Sequence, residues 1–224
     1  MNLLNTFLFI IFPYLCLTTF LLGHSYRYLT DRYTWNARSS EFLEKKTLFA
    51  GSMLFHYGII FTFFGHASGL LIPQSLLDQI GIDSQTHTFI ALWSGLAVGA
   101  AAFIGLVLLF KRRMTHPRVR AVNRLNDTVT LTGLFVVIAT GLFNVIFGNY
   151  DVLYTIAPWI RGIVIFTPDA MLMKTAPLSY KIHVITALAL LGFSPFSRLV
   201  HIWSVPVTYL FRRWILFRRQ ARQL

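Results

Sequence analysis

Five long apolar segments, each separated from the next by a polar or charged stretch, dominate the hydropathy pattern of this chain. At a rise of about 1.5 Å per residue, about 20 apolar residues span the roughly 30 Å hydrocarbon core of a bilayer. The pattern therefore predicts an all-α, polytopic membrane protein with the whole chain, 1–224, as one domain. The predicted spans 1 to 5 are 3–25, 47–71, 87–110, 127–148 and 180–202.

The basic residues are distributed unevenly between the two sides that five spans define. Of the 20 lysines and arginines, 17 follow spans 1 and 3 or lie at the C-terminal end, and three, Arg161, Lys174 and Lys181, lie on the other side. An excess of Lys and Arg marks cytoplasmic segments, so we predict an outer N-terminus and a cytoplasmic C-terminus in the cell (cytoplasmic) membrane. The net charge of +12 thus reflects topology in a lipid bilayer and predicts no nucleic-acid partner.

Span 2 contains two histidines, His56 and His66, in a stretch without Lys, Arg, Asp or Glu. A neutral imidazole keeps one N–H donor and one lone pair, and leaving both unpaired in hydrocarbon costs several kcal/mol. Such a histidine either bonds a polar group of a neighbouring helix or binds a metal. A second pair in span 5, His183 and His201, favours metal binding.

The topology decides which histidines can meet. Spans 2 and 5 cross the membrane in opposite directions, so His66 should face His183 near the outer side and His56 should face His201 near the cytoplasmic side. In straight helices the 18 positions from His183 to His201 rise about 27 Å and the 10 positions from His56 to His66 rise about 15 Å, so the two pairs would not be level. We expect Pro195 to kink span 5 or to unwind it before His201.

Two imidazoles from different helices can hold one haem iron from both sides, with the porphyrin lying between the helices. Both axial positions are then filled, so such a haem transfers electrons and binds no substrate. Zinc or copper would need three or four ligands at one depth. The single cysteine, Cys16, argues against an iron–sulfur cluster, a c-type haem and a disulfide framework. The two histidine pairs therefore predict two haem b groups.

Other residues are candidates for the surroundings of these haems. Gly51, Gly58 and Gly65 flank the histidines of span 2 and are expected to leave room for a flat ring. Asp127 is expected to be the N-cap of span 4 without a chemical role, and His24 could compete as an inner ligand.

Haem propionates near the inner face need hydrogen-bond donors, although basic residues at this depth could equally bind lipid phosphates. The candidates are Arg27, Tyr28, Arg112, Arg113 and Arg198.

Several short motifs and one long motif resemble the gamma subunit of respiratory nitrate reductase, the membrane cytochrome b of that complex. These motifs are Phe12-Pro-Tyr14, Leu54-Phe-His56, Gly65-His66 and, above all, Pro195-Phe-Ser-Arg-Leu-Val-His-Ile-Trp-Ser-Val-Pro206. The resemblance extends over essentially the whole chain and includes all four histidine positions.

This resemblance implies an enzyme of three subunits in which the present chain oxidises menaquinol or ubiquinol near the outer haem. Electrons would pass through the inner haem to an iron–sulfur subunit and then to a cytoplasmic molybdenum subunit that reduces nitrate in anaerobic respiration. The resemblance also implies that His66 and His183 ligate the outer haem, and that His56 and His201 ligate the inner one.

The quinol contacts depart from the family pattern. Members of the family have a lysine implicated in quinol binding just before span 3, where this chain has Gln85, Thr86, His87 and Thr88. His87 or a threonine is expected to replace that lysine, so the quinol candidates are His66, Thr86 and His87.

Two other functions remain open at this point. One is a similar cytochrome b subunit of another quinone-linked complex, of the sulfur-metabolism or heterodisulfide-reductase type. The other is a five-span transporter or scaffold whose histidines are structural, which would bind no haem.

Overall fold

The computed structural model describes residues 3–31, 34–35, 40–204 and 211. Within these ranges the chain contains helices and no β-strand, and five helices are long and apolar enough to cross a membrane. They are α1 (Leu3–Thr30), α2 (Lys46–Leu71), α3 (Ser84–Thr115), α4 (Leu125–Phe147) and α5 (Leu178–Phe196). The predicted all-α architecture with five spans is confirmed, and the orientation of the termini stays a prediction.

Short helices occupy the segments before, between and after the spans. They are Glu41–Leu43, Gln74–Gln79, Pro117–Ala121, Ile156–Val164, Ala170–Met173 and Arg198–Ile202. Part of the sequence evidence lies outside the described residues: Val205 and Pro206 of the long motif, and the arginines at 32, 38, 212, 213, 218, 219 and 222.

Helix α2 packs along α3, α3 against α4, α4 against α5, and α5 against α1. A Cβ on Gly58 would collide with the backbone of Ala102, and a Cβ on Gly51 would lie 3.1 Å from the side chain of Leu108. The expectation that Gly51 and Gly58 leave room for a ring is therefore wrong, because the α2–α3 contact fills that space. At Gly65, no described atom outside its own helix lies within 4 Å of such a Cβ.

The first turns of α1 are rearranged by a proline. Pro13 has no N–H and cannot donate to the carbonyl of Phe9, four residues earlier. The helix widens into a π-helical turn at Phe7–Ile11, and the Phe9 carbonyl instead accepts a 2.8 Å hydrogen bond from the indole N–H of Trp159. The buried Trp159 belongs to the helix Ile156–Val164, which thereby fastens the predicted outer end of α1.

The same short helix also holds the end of α2. Helix α2 finishes in a second π-helical segment, Ala67–Leu71, whose Leu70 carbonyl accepts a 3.0 Å hydrogen bond from Arg161 Nη1. A cation at a helix C-terminus satisfies a carbonyl without an intrahelical partner and interacts favourably with the helix dipole. Residues just beyond His66 are therefore anchored by a charged side chain from Ile156–Val164.

Span 5 is shorter than predicted. The α-helix ends at Phe193, a 3₁₀ turn covers Ser194–Phe196, and the backbone becomes extended at Ser197 (φ −122°, ψ −179°). His201 lies in a separate 3₁₀ segment, Arg198–Ile202. The predicted span 180–202 therefore ends too late, and the expectation that the chain kinks or unwinds at Pro195 before His201 is confirmed. The difference in level calculated for straight helices consequently does not apply.

Two boundary predictions also need correction. Helix α3 continues to Thr115, so Arg112 and Arg113 belong to its last turns instead of a loop. Helix α4 begins at Leu125 with Arg124 as N-cap, and the Asp127 carboxylate accepts a 3.2 Å hydrogen bond from the Arg124 backbone N–H. Asp127 is therefore at the third helical position, and it is not the N-cap.

Candidate haem centres

The structure brings the four histidines together in two pairs. The rings of His66 and His183 have centroids 6.1 Å apart, with an angle of 26° between their planes. The rings of His56 and His201 have centroids 5.9 Å apart, at 66°. We call the first pair the outer pair and the second the inner pair. These are the two pairings that the predicted topology requires.

These separations match the space that an axially ligated iron needs. With a metal–nitrogen bond of about 2.0 Å and a ring centroid about 1.1 Å beyond the nitrogen, two imidazoles on opposite sides of one iron have centroids about 6.2 Å apart. Helices α2 and α5 are not closely packed on each other in the described part of the chain, since α2 packs on α3 and α5 on α4 and α1. The ring of His66 on α2 approaches that of His183 on α5 across the space between them, and the ring of His56 approaches that of His201, which lies beyond the end of α5.

All four histidines present the same nitrogen to a backbone carbonyl. The Nδ1–H of His56 donates to Ser52 O (2.8 Å), that of His66 to Thr62 O (2.9 Å) and that of His183 to Val137 O (2.9 Å). His201 donates in the same way to Arg198 O. A carbonyl can only accept, so each Nδ1 carries the proton and each Nε2 keeps its lone pair. This tautomer, fixed by a second hydrogen bond, is typical of metal-ligating histidine.

His183 has the most closely built surroundings of the four. Its Nδ1 also lies 3.3 Å from the hydroxyl oxygen of Thr140, which itself donates to Val136 O. A Cβ on Gly141 would stand 3.0 Å from His183 Cε1, so the absence of a side chain there admits the ring. Residues of helix α4 therefore fix the position of the His183 ring, which α5 carries.

His24 shows the contrasting arrangement. It is buried, its Nε2 lies 3.0 Å from Ser194 Oγ, and its Nδ1 accepts a 3.2 Å hydrogen bond from the indole N–H of Trp35. Both ring nitrogens of His24 have protein partners. This is the arrangement expected of a histidine that bonds neighbouring polar groups and binds no metal. Among the described residues, no group of three or more His, Cys, Asp or Glu side chains could hold a metal ion.

Comparison with known proteins shows which family the chain belongs to. The profile of the family described as "Nitrate reductase gamma subunit" matches residues 5–220. The nitrate reductase gamma chain of Bacillus subtilis is 40% identical over 215 residues, which cover 94% of this chain and 96% of that protein. The respiratory nitrate reductase 1 gamma chain of Escherichia coli is 36% identical over 223 residues, covering 97% and 99%, and the gamma chain of nitrate reductase 2 is 32% identical over 220 residues, covering 96% and 97%.

The chain belongs to the nitrate reductase gamma subunit family. The resemblance drawn from the sequence motifs is thereby confirmed, and the chain is a membrane subunit of a redox enzyme complex. Membership favours nitrate reductase over the other quinone-linked complexes considered above.

The quinol candidates of this gamma subunit lie near the outer pair. His66 is exposed and is followed one turn later by Gly69, where a Cβ would lie 3.3 Å from Nε2 of His87. The Nδ1 of His87 lies 3.0 Å from Gln74 Oε1, which can only accept, so Nε2 again keeps its lone pair. Gln74 was not singled out in the sequence, because nothing in its spacing links it to His87.

Thr86 has a different part in the same region. Its side chain and its backbone N–H bond the carboxylate of Asp83, the N-cap of α3, and hold the pKa of Asp83 below its ordinary value. These bonds satisfy donors that would otherwise be left unpaired at the start of the helix. Thr86 therefore anchors the helix that carries His87.

The arginine candidates all have protein partners in the structure. Arg112 is buried and donates to Ser40 Oγ and O (3.0 and 2.8 Å) and to Glu44 Oε2 and O (2.8 and 2.7 Å). The Thr47 backbone N–H, together with Arg112, holds the pKa of Glu44 below its ordinary value. We call Arg112, Ser40 and Glu44 the Arg112 latch, because they fasten α3 to the segment that precedes α2.

The remaining candidates for propionate binding also contact neighbours. Arg27 donates to Pro195 O and to Thr34 O (2.5 and 2.8 Å). Tyr28 packs edge-on against Trp35, with ring centroids 5.4 Å apart. Arg113 and Arg198 both pair with Asp127.

Several residues that build the site were missed in the sequence, and one signal could have found some of them. The acceptors for His56 and His66 come from Ser52 and Thr62, each four residues before its histidine. At His56 the hydroxyl of Ser52 also lies 3.1 Å from Nδ1, so a serine four residues before a helical histidine is a usable signal, whereas at His66 the acceptor is a main-chain carbonyl and residue type gives none. Thr140, Gly141 and Val137 lie about 40 residues before His183, and only the packing of α4 on α5 reveals them.

Proposed function

We propose that this gamma subunit holds two haem b groups, oxidises quinol near the outer face of the cell membrane, and delivers the electrons to an iron–sulfur subunit on the cytoplasmic side. A molybdenum subunit of the same complex would then reduce nitrate. The observation that carries the proposal is the presence of two facing histidine pairs, each with the spacing of an axially ligated iron. When bound, the haems supply two one-electron carriers at different depths.

The outer haem would be held by His66 and His183, and the inner haem by His56 and His201. The chain's own contribution is the set of carbonyls that accept from Nδ1, since these fix each ring's tautomer and raise the basicity of Nε2. Hydroxyl oxygens add a second contact on one ligand of each pair. They belong to Ser52, 3.1 Å from the Nδ1 of His56, and to Thr140 at His183.

Quinol would bind between the outer pair and the start of α3, with its hydroxyl groups toward His66 and His87. Oxidation of a quinol to a quinone releases two electrons and two protons, so a base near one of the hydroxyl groups helps the reaction. His87 suits this role because Gln74 occupies its Nδ1–H and leaves the Nε2 lone pair to accept a proton. Thr86, held by Asp83, keeps His87 in place and is the third quinol candidate.

For the inner propionates we keep Arg27, Tyr28, Arg113 and Arg198 as candidates. Arg112 we assign to the latch, since Ser40 and Glu44 accept four hydrogen bonds from its guanidinium and it is almost fully buried. Moving the Arg112 side chain toward a haem propionate would leave its acceptors on Ser40 and Glu44 without this donor.

The test uses the complete complex in membranes. Adding a reduced quinone analogue should reduce b-type haem within the mixing time, and nitrate should then reoxidise it. In His66→Ala, quinol-driven reduction should disappear while dithionite still reduces the inner haem. If quinol reduces haem normally in this variant, the proposed site and ligand are wrong.

His87→Gln tests the base, with His116→Gln as its matched control. His116 lies between α3 and Pro117–Ala121, at the predicted cytoplasmic end, and has no part in the proposed site. We expect the first variant to keep both haems and to lower the quinol oxidation rate about 100-fold, the usual contribution of a positioned base. The control should match the wild type, and equal effects of the two changes would contradict the assignment.

A further inference from the structure

Three parts of the chain meet at one buried carboxylate near the inner pair. Asp127, near the start of α4, lies 3.0 Å from Arg113 Nη1 at the end of α3. Its other oxygen pairs with Nε of Arg198, the first residue of the 3₁₀ segment Arg198–Ile202. Asp127 is 4% exposed, so both contacts are shielded from bulk water. We call Asp127, Arg113 and Arg198 the Asp127 cluster.

Arg198 connects this cluster to the inner pair through its main chain. The carbonyl of Arg198 accepts the hydrogen bond from Nδ1 of His201, three residues later. The side chain of one residue thus holds Asp127 while its carbonyl sets the tautomer and direction of a ligand ring. The position of the Arg198 backbone therefore determines where the Nε2 of His201 points.

The segment that carries His201 needs such a fastening. It follows the unwound chain at Ser197 and forms a 3₁₀ turn, whose hydrogen bonds have poorer geometry than those of an α-helix. A second bond from the same region supports it, because the Asn126 side chain donates to Phe196 O at 2.8 Å. The other three ligands are carried by regular α-helix, so His201 depends most on contacts outside its own segment.

The charges of the cluster explain why the acid matters. Arg113 and Arg198 both approach Asp127, and the carboxylate between them offsets their mutual repulsion. Without the negative charge of Asp127, the carboxylate no longer offsets the repulsion between these two partly buried guanidinium groups. We expect the 3₁₀ segment Arg198–Ile202 to move and reduce this repulsion, since α3 and α4 are long regular helices.

We propose that Asp127 is a positioning residue for the inner haem: through Arg198 it fixes the orientation of His201. This rests on the proposed function, because it takes His201 to be an iron ligand. It differs from the expectation that Asp127 has no role beyond capping a helix.

The experiment compares Asp127→Asn, Arg198→Met and the double variant in the intact complex. Two readouts are followed for each haem, namely the low-spin ferric EPR signal and the loss of haem to apomyoglobin. Each single change should alter the inner-haem signal and lower the inner-haem affinity about 10-fold, the lower range for contacts behind a metal ligand. The outer haem should be unchanged, which shows that the protein is folded.

The double variant tests whether Asp127 acts on His201 through Arg198. Because Asp127 acts through Arg198, the double variant should lose about 10-fold in affinity, like either single change, instead of about 100-fold. Glu44→Gln is the matched control, since it removes an ion pair of the Arg112 latch at the same end without touching the His201 segment. It should leave the inner-haem signal unchanged.

Two results would overturn the proposal: an unaltered inner haem in Asp127→Asn, or independent, additive losses in the double variant. If Asp127→Asn does not accumulate in membranes, Arg198→Met decides, and an intact inner haem in it also overturns the proposal. His201→Ala separates this failure from failure of the proposed function. Should His201→Ala retain both haems, His201 is not a ligand and the function itself is wrong.

Discussion

Replacing Gly141 by alanine should disturb the outer haem specifically, because the added methyl group would press on the ring of His183. The new Cβ would stand 3.0 Å from Cε1 and 3.3 Å from Nδ1, whereas ordinary contact begins at 3.4 Å. The ring must therefore move by at least about 0.4 Å, which takes up most of the roughly 0.5 Å within which a ligand has to be held. Its bond to Val137 O, now 2.9 Å, would lengthen at the same time.

The expected size follows from the loss of that hydrogen bond and its orienting effect. Weakening contacts behind a metal ligand lowers affinity by about 10-fold to 100-fold, equivalent to about 1.4–2.7 kcal/mol. In Gly141→Ala, apomyoglobin should remove the outer haem at least about 10-fold more readily than in the wild type. The inner haem, held by other residues, should keep its affinity and its reduction potential.

The control is Gly95→Ala, another glycine-to-alanine change in a spanning helix. A Cβ there would lie 3.7 Å from Val145 Cγ2, an ordinary contact, so both haems should behave as in the wild type. If Gly141→Ala is inserted normally and retains its outer haem with wild-type affinity, then His183 does not hold that haem in the orientation described.

Further predictions concern the two haem signals and the two ends of the fold. Axial imidazoles with nearly parallel planes give a rhombic low-spin ferric EPR signal, and steeply crossed planes give a strongly anisotropic one. The outer pair, at 26°, should therefore give the rhombic signal and the inner pair, at 66°, the strongly anisotropic signal. His66→Ala should remove only the rhombic signal. Trp159→Phe removes the indole hydrogen bond to the Phe9 carbonyl and should cost about 1–3 kcal/mol in thermal or denaturant unfolding. Adding Pro13→Ala, which restores an N–H, should recover part of the loss, and no recovery would contradict the assigned bond. The pKa of Asp83 is depressed in the folded protein, so its cap on α3 is fully present above the ordinary aspartate range and is lost as pH falls through the folded value. The protection factor of amides near Thr86 against hydrogen exchange should therefore fall in acid, and an equal fall in Asp83→Asn would show that the carboxylate is not responsible.

The pairing of the histidines could be predicted because it depends on topology alone. Once the apolar segments are counted, the direction of each span follows, and only two pairings bring imidazoles to one depth. The structure places His66 beside His183 and His56 beside His201, as expected. The number of spanning helices and the all-α fold class could also be predicted, since a chain segment that crosses a bilayer as a helix must be long and apolar.

The course of the chain around His201 could not be predicted in detail. Pro195 predicts an interruption of the helix. Whether the helix kinks or ends there depends on partners far away in sequence: Arg27 donates to Pro195 O and Asn126 donates to Phe196 O. The ion pairs of Asp127 have the same character. Its sequence neighbourhood predicts a helix start, and its two arginine partners come from other elements.

Glycine patterns were ambiguous for a physical reason. A glycine every seven residues on α2 admits any close neighbour, whether a helix backbone or a flat ring. At Gly58 the neighbour is the backbone of Ala102, and at Gly65 no described atom beyond its own helix comes within 4 Å. Only the position of α3 distinguishes the two cases.

The central claim is that the two histidine pairs each hold one haem b. The most direct measurement is the haem content per chain of the purified complex, repeated on single alanine variants of His56, His66, His183 and His201. We expect two b-type haems in the wild type and one in each variant, with the outer signal lost for His66 and His183 and the inner for His56 and His201. Two haems retained in any of these variants, or no haem in the wild type after expression with ample haem, would contradict the account.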